Sequence, residues 1–174
     1  HFCGGNEEQL IKIFKEVSRE DWVVSSHRNH FHALLHGVSP ATLLADILNT
    51  DTGGSMVHVS TNPRFVSTGI VAGGCAMATG LAWALKQQHS DPAICERKVW
   101  CFIGDGATDE GHFYEAWRYA VGWDLPIVFV IEDNDRATCT SNKERWGYAT
   151  TEEVWSKEGL PKIKYYKYTP TYPH

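Results

Sequence analysis

Residues 98–135, KVWCFIGDGATDEGHFYEAWRYAVGWDLPIVFVIEDND, decide the fold. Lys98 to Ile103 is a nearly continuous apolar run that ends in Gly104-Asp105-Gly106. Pro126 to Ile131 is a second such run, ending in Glu132-Asp133-Asn134-Asp135. Between them, residues from about Gly111 to Val121 carry a helical pattern. Strands that are apolar on both sides belong in a sheet covered on both faces, and strands joined through a helix run parallel. The expectation is a three-layer α/β domain built on a parallel sheet.

Working outward, Asn6 stands where it can cap a helix with Glu7 and Glu8 in its first turn. That helix would place Leu10, Ile11, Phe14 and Val17 on one face. Trp22-Val23-Val24 reads as a short strand. Ser39-Pro40 opens a helix with Leu43, Leu44, Ile47 and Leu48 inward. Thr52 to Ser55 is a loop. Gly73 to Lys86 reads as a helix rich in small residues, suited to close packing on a sheet. Near the C-terminal side, Thr150 and Glu153 form a capping-box pattern for a short helix closed by Gly159 and Pro161. Lys162 to His174, with four tyrosines and two prolines, reads as extended.

The 174 residues are 43% hydrophobic and 12% aromatic, enough for one domain with a sizeable core. Sixteen Lys and Arg against 21 Asp and Glu leave a net charge of −5, which argues against nucleic acid or an anionic membrane as partner. No apolar run approaches the roughly 20 residues that cross a bilayer. Residues 1–5 fit neither a signal nor a transit peptide. Five scattered cysteines without a CxxC pair favour a reduced, intracellular setting over a disulfide framework or a zinc finger.

In open parallel sheets ligands sit beyond the carboxyl ends of the strands. There, two glycines around Asp105 let the backbone approach a ligand, and the helix near Gly111 points its amides toward an anion. A carboxylate from one strand end and an amide oxygen from the next are hard ligands, suited to Mg²⁺ on phosphate oxygens. Taken alone, Gly104-Asp105-Gly106 is as well read as a tight turn. Asn134 follows Asp105 by 29 positions. With that spacing, the segment closely resembles the thiamine-diphosphate motif of the alpha subunits that decarboxylate 2-oxo acids in the pyruvate, branched-chain and acetoin dehydrogenase complexes. Other segments are similar to the same family: His1 to Glu7 to its H-x-x-x-G-Q-E, His27-Arg28-Asn29-His30 to its Y-R-x-H, Gly53 to Met56 to its G-G-S-M, and Gly69-Ile70-Val71 to its G-I-V.

The resemblance implies a transketolase-like diphosphate-binding domain over residues 1–174, shorter than the family at both ends. It implies thiamine diphosphate and Mg²⁺ as cofactors. Asp105 and Asn134, with the backbone carbonyl of Arg136, would hold the metal; Gly106 and Ala107 would line the diphosphate, and Arg28 would pair with it. His27 stands where the family has a tyrosine on the diphosphate. The backbones of Gly69 and Val71 would hold the aminopyrimidine, and His1 falls at a substrate-pocket histidine. Implied partners are a beta subunit, which supplies the activating glutamate, a lipoyl-bearing acyltransferase and a small 2-oxo acid. The implied setting is the bacterial cytoplasm rather than the mitochondrial matrix. His27, His30, His32 and His36 admit three readings: a metal cluster, solvated or structural histidines, or an active-site loop with His30 near the substrate. A catalytically inactive accessory domain and a Rossmann-type dinucleotide enzyme are the rival readings of the whole chain, although the run lacks G-x-G-x-x-G.

Overall fold

The computed structural model describes residues 4–49, 56–88, 96–147, 151–157 and 159–171. The chain begins with α1 (Glu7–Phe14), β1 (Trp22–Ser25), α2 (His30–His36) and α3 (Pro40–Leu48). A hairpin of β2 (Val59–Thr61) and β3 (Arg64–Ser67) leads into α4 (Gly73–Gln87). Then come β4 (Val99–Gly104), a 3₁₀ turn over Asp105–Asp109, α5 (Gly111–Gly122) and β5 (Ile127–Asp133). The remainder is β6 (Arg136–Ala137), β7 (Thr140–Ser141), α6 (Asn142–Trp146), α7 (Thr151–Trp155) and β8 (Ile163–Lys167).

The main sheet has the order β2-β3-β1-β4-β5-β8. Every neighbouring pair is parallel except β2 with β3, so the expected parallel sheet carries one antiparallel edge strand. From β1 the chain moves outward to β3 and then crosses back to place β4 on the other side of β1. The strand order therefore reverses between β1 and β4, which opens a crevice beyond their carboxyl ends. The two runs that decided the expectation pair in parallel along their length, from Val99 opposite Ile127 to Gly104 opposite Glu132.

Both faces of the sheet are covered. Val24, Cys101, Ile103, Phe129 and Ile131 pack with Cys75, Ala78 and Ala82 of α4, Phe113 of α5 and Trp155 of α7. On the opposite face Val23, Phe65, Trp100, Phe102 and Val130 meet Leu10 of α1, Ala33 of α2 and Leu43 of α3. These two cores account for the three layers and for the unbroken apolar runs. At Gly74 a Cβ would stand 3.1 Å from Val24 Cγ1, so the bare glycine lets α4 lie close on β1.

Several local expectations are corrected. Asn6 occupies the cap position of α1, but its side chain makes no capping bond; it donates instead to Glu132 and to the Tyr166 hydroxyl. Ile11 is exposed, and Leu10 carries the buried face of α1. Ser39 does cap α3, accepting from the Thr42 amide at 3.1 Å. Only Leu43 of that helix is buried, however; Leu44, Ile47 and Leu48 are exposed because nothing among the described residues packs over them. Within the tail read as extended, Ile163–Lys167 is indeed extended and joins the sheet as β8 beside β5. The Thr52–Ser55 loop and the Thr150 half of the capping box lie outside the described residues. Cys75, Cys101 and Cys139 are free thiols; Cys3 and Cys95 lie outside the described residues. Among the described residues no helix is long and apolar enough to cross a membrane.

Candidate active site

A cavity of about 360 Å³ opens at the carboxyl ends of β1, β3, β4 and β5. The turn after β1 contributes His27 and Arg28, and the segment after β3 contributes Val71. From the turn after β4 come Asp105, Gly106 and Ala107, and from beyond β5 come Asn134 and Arg136. Sequence positions as far apart as 27 and 136 thus meet around one space because parallel strands deliver their following loops to one edge.

Asp105 is 2% exposed, and its Oδ2 is sealed from water without a hydrogen-bond partner. Burial, and next the negative charge of Asp133, push its carboxyl up to about 7, with Arg145 pulling the other way. The β4–β5 register sets Gly104 beside Glu132, so Asp105 and Asn134 emerge from neighbouring strand ends. Asn134 is nearly buried, and its Oδ1 accepts from the Arg136 amide at 3.1 Å, which turns the chain after β5. Asp135 takes φ +62° in that turn. Gly106 must be bare: a Cβ there would stand 2.7 Å from Ala137 Cβ. A 3₁₀ turn separates Asp105 from α5, so the amides nearest Asp105 belong to that turn rather than to the helix at Gly111. Arg28 Nε is buried without a hydrogen-bond partner.

Two expected residues sit elsewhere. His30, at the start of α2, packs its ring edge-on against His58 at 5.6 Å and does not line the cavity. Gly69 is also outside the lining; the nearest atom to its Cβ position is Met56 Cε, at 3.9 Å. Val71 lines the cavity, and its carbonyl faces His112 Nε2 at 3.0 Å. His1 lies outside the described residues. The four histidines do not converge, and the described residues contain no group of three or more His, Cys, Asp or Glu side chains placed to share a metal.

His32 does not line the cavity either, but it holds two residues that do, Ser25 and Glu132. Its Nε2 lies 3.1 Å from Glu132 Oε1, and its Nδ1 lies 2.8 Å from Ser25 Oγ, all three groups being buried. Asn6 Nδ2 and the Tyr166 hydroxyl donate to the same Oε1. A carboxylate oxygen only accepts, so the His32–Glu132 bond needs a proton on Nε2, and the Ser25 hydroxyl can serve Nδ1 as donor or acceptor. Tyr165 similarly donates to Asp133 Oδ2 at 2.6 Å. Burial and the adjacent carboxylates hold both phenols above their ordinary value, so they stay protonated donors. These partners had no short-range signal, since Tyr165 and Tyr166 come to the strand ends through β8. One clue was legible: Glu132 lies in the same polar run as Asn134, two positions before it, at the end of β5.

The donor set suits a metal-bridged anion. Asp105 offers an unused buried oxygen, Asn134 an amide oxygen, Gly106 a bare backbone, and Arg28 and Arg136 positive charge. An α/β domain with this cavity at its strand-order reversal belongs to a recognised class. It shares its fold with a Mycobacterium smegmatis protein described as a thiamin diphosphate-dependent enzyme, at a TM-score of 0.51 and 20% identity over 76% of this chain and 21% of that one. The chain matches the family described as Dehydrogenase E1 component over residues 1–162, and it belongs to that family. Among its relatives is the pyruvate dehydrogenase E1 component subunit alpha of Porphyra purpurea, 34% identical over 173 residues, 94% of this chain and 50% of the relative. The subunit of the same name from Rickettsia bellii is 34% identical over 148 residues, 81% of this chain and 44% of the relative. The chain thus spans about half the length of these relatives. The match displaces the dinucleotide-enzyme reading.

Proposed function

We propose that this chain holds the diphosphate end of thiamine diphosphate through Mg²⁺ and acts, with a beta subunit, in the oxidative decarboxylation of a 2-oxo acid. The observation that carries the reading is the unpartnered, buried Oδ2 of Asp105 at the end of β4, beside Asn134 at the end of β5. Burying a carboxylate oxygen without a partner is costly, and such a group is best explained by a cation that takes it up. Asp105, Asn134 and the Arg136 carbonyl would hold the metal. Gly106 and Ala107 would let the backbone approach the diphosphate, and Arg28 would supply a planar fork matched to phosphate oxygens. His27 would face the same anion, while the Gly69 and Val71 backbones would hold the pyrimidine. His1 and His30 are the proposed substrate-side histidines, and the His30–His58 packing requires His30 to act from outside the lining described above.

Once bound, the cofactor supplies an electron-accepting ring for the carbon that loses carbon dioxide. The chain's own residues bind and orient it. The carboxylates Asp105, Asp109, Glu110 and Glu132 line the cavity, and in this reading they stand on the diphosphate side. A beta subunit would therefore supply the carboxylate that activates the pyrimidine, and a lipoyl-bearing acyltransferase would take the acyl group. An intracellular, bacterial-cytoplasmic setting accords with the free thiols. Calorimetry tests the core of this reading: thiamine diphosphate should bind with Mg²⁺ and not in a chelator, and Asp105→Ala should abolish binding with the fold retained. Equal affinity in chelator refutes it. The purified chain alone should release no carbon dioxide from pyruvate or branched 2-oxo acids.

A further inference from the structure

The turn that carries Asp105 is braced from behind by α6. Ser141 and Glu144 start that helix with reciprocal bonds: Ser141 Oγ accepts from the Glu144 amide at 3.2 Å, and Glu144 Oε2 accepts from the Ser141 amide at 2.9 Å. Asn142, fully buried, donates to Asp133 Oδ1 at 3.4 Å and so ties the start of α6 to the end of β5. The other end of α6 grips Asp109, the last residue of the 3₁₀ turn, on both oxygens. Trp146 Nε1 donates to Oδ1 at 3.2 Å, and Arg145 Nε lies 3.2 Å from Oδ2.

The Arg145 contact is an ion pair by distance without the alignment of a hydrogen bond. Its Nε, Nη1 and Nη2 are all sealed from water with no hydrogen-bond partner. Its side chain is only 11% exposed, and Nη1 lies 3.1 Å from where a Gly106 Cβ would be. A guanidinium buried without hydrogen bonds is costly, and so is a corner that buries the carboxylates of Asp105 and Asp133. The two costs offset each other only while the cation stays behind the turn.

Resting on the function proposed above, we propose that Arg145 is a positioning residue for the diphosphate and its metal: by gripping Asp109 it fixes the Asp105–Asp109 turn, and its charge balances that corner. Arg145 does not line the cavity, so it acts through the turn. A glycine at 106 serves both the ligand side and the Arg145 side of that turn.

The test compares binding of thiamine diphosphate and of thiamine, each with Mg²⁺, to the purified chain by calorimetry. Arg145→Met should cut the preference for the phosphorylated ligand by about tenfold, equivalent to about 1.4 kcal/mol. Arg145→Lys keeps the charge without the planar fork and should recover part of that loss. Asp109→Asn should reproduce the Arg145→Met effect, and the double variant should bind no worse than the weaker single variant, because both act on one contact. If Arg145→Met fails to fold, Arg145→Lys and Asp109→Asn carry the test, each expected to lower the preference at least threefold. An unchanged preference in the folded variants, or additive losses in the double variant, overturns the inference. A wild-type chain with no Mg²⁺-dependent binding of thiamine diphosphate brings down the parent reading instead.

Discussion

Asp105→Asn should stabilise the ligand-free chain at alkaline pH while impairing the site. The substitution keeps the shape and removes a charge from a position only 2% exposed. Burial and Asp133 raise the carboxyl from its ordinary 3.8 to about 7. A folded value above the unfolded one means that the fold prefers the protonated acid. The contribution of Asp105 to stability is therefore intact below about pH 4 and is lost as the pH rises toward 7. About three units at 1.36 kcal/mol each set a ceiling of about 4 kcal/mol. The titration is shared with Asp133 and the surroundings relax, so a gain of about 2–3 kcal/mol at pH 8 is the working figure. For a chain of this size that corresponds to a rise in Tm of roughly 5–10 °C. Urea unfolding of both proteins in chelator, at pH 4.5 and pH 8, makes the measurement. The variant should gain little at pH 4.5 and most of its advantage at pH 8. A difference independent of pH, or a wild type more stable at pH 8, refutes the reasoning. The same variant should lose Mg²⁺-dependent thiamine diphosphate affinity, since the site that destabilises the empty fold is the one proposed to take the cation.

Three further outcomes are expected. Arg28→Lys should weaken thiamine diphosphate binding by about tenfold, because the planar fork is lost, and leave thiamine unaffected; an equal response of both ligands in calorimetry would make Arg28 structural. In Gly106→Ala the new methyl must displace Ala137, whose Cβ would be 2.7 Å away, so stability should fall by about 1–3 kcal/mol in urea and diphosphate affinity should fall with it. Tyr166→Phe removes one of the donors to buried Glu132 Oε1, and a loss of about 1–3 kcal/mol by thermal unfolding is expected; a neutral result would mean that Asn6 and His32 satisfy the carboxylate alone.

The βαβ unit was legible because its signal is local and dense. Two runs apolar on both faces, joined by a helical stretch, admit few arrangements, and the strands from Val99 and Ile127 pair as that pattern requires. The Asp105–Asn134 spacing was legible for the same reason: both residues follow strand ends that the pattern had already placed. Helix faces were less so. Ile11 and Leu48 are apolar at plausible positions on their helices, yet they are exposed, because which side of a helix is covered depends on what packs there.

Within the sequence itself, then, lay the α/β class, the ends of β4 and β5, and the Asp, Asn and Gly residues gathered there. Periodicity and turn chemistry act over a few residues and need no partner from afar. Tertiary structure alone decided that His32 bonds Glu132 at the cavity while His30 packs on His58, that Tyr165 and Tyr166 secure Asp133 and Glu132 at the end of β5, and that Arg145 stands behind Gly106. Those contacts join segments up to 160 positions apart, as Asn6 and Tyr166 are. They exist because the sheet order brings β8 beside β5 and folds α6 back against the turn after β4, and no local pattern along the chain encodes which distant side chain will fill a buried corner.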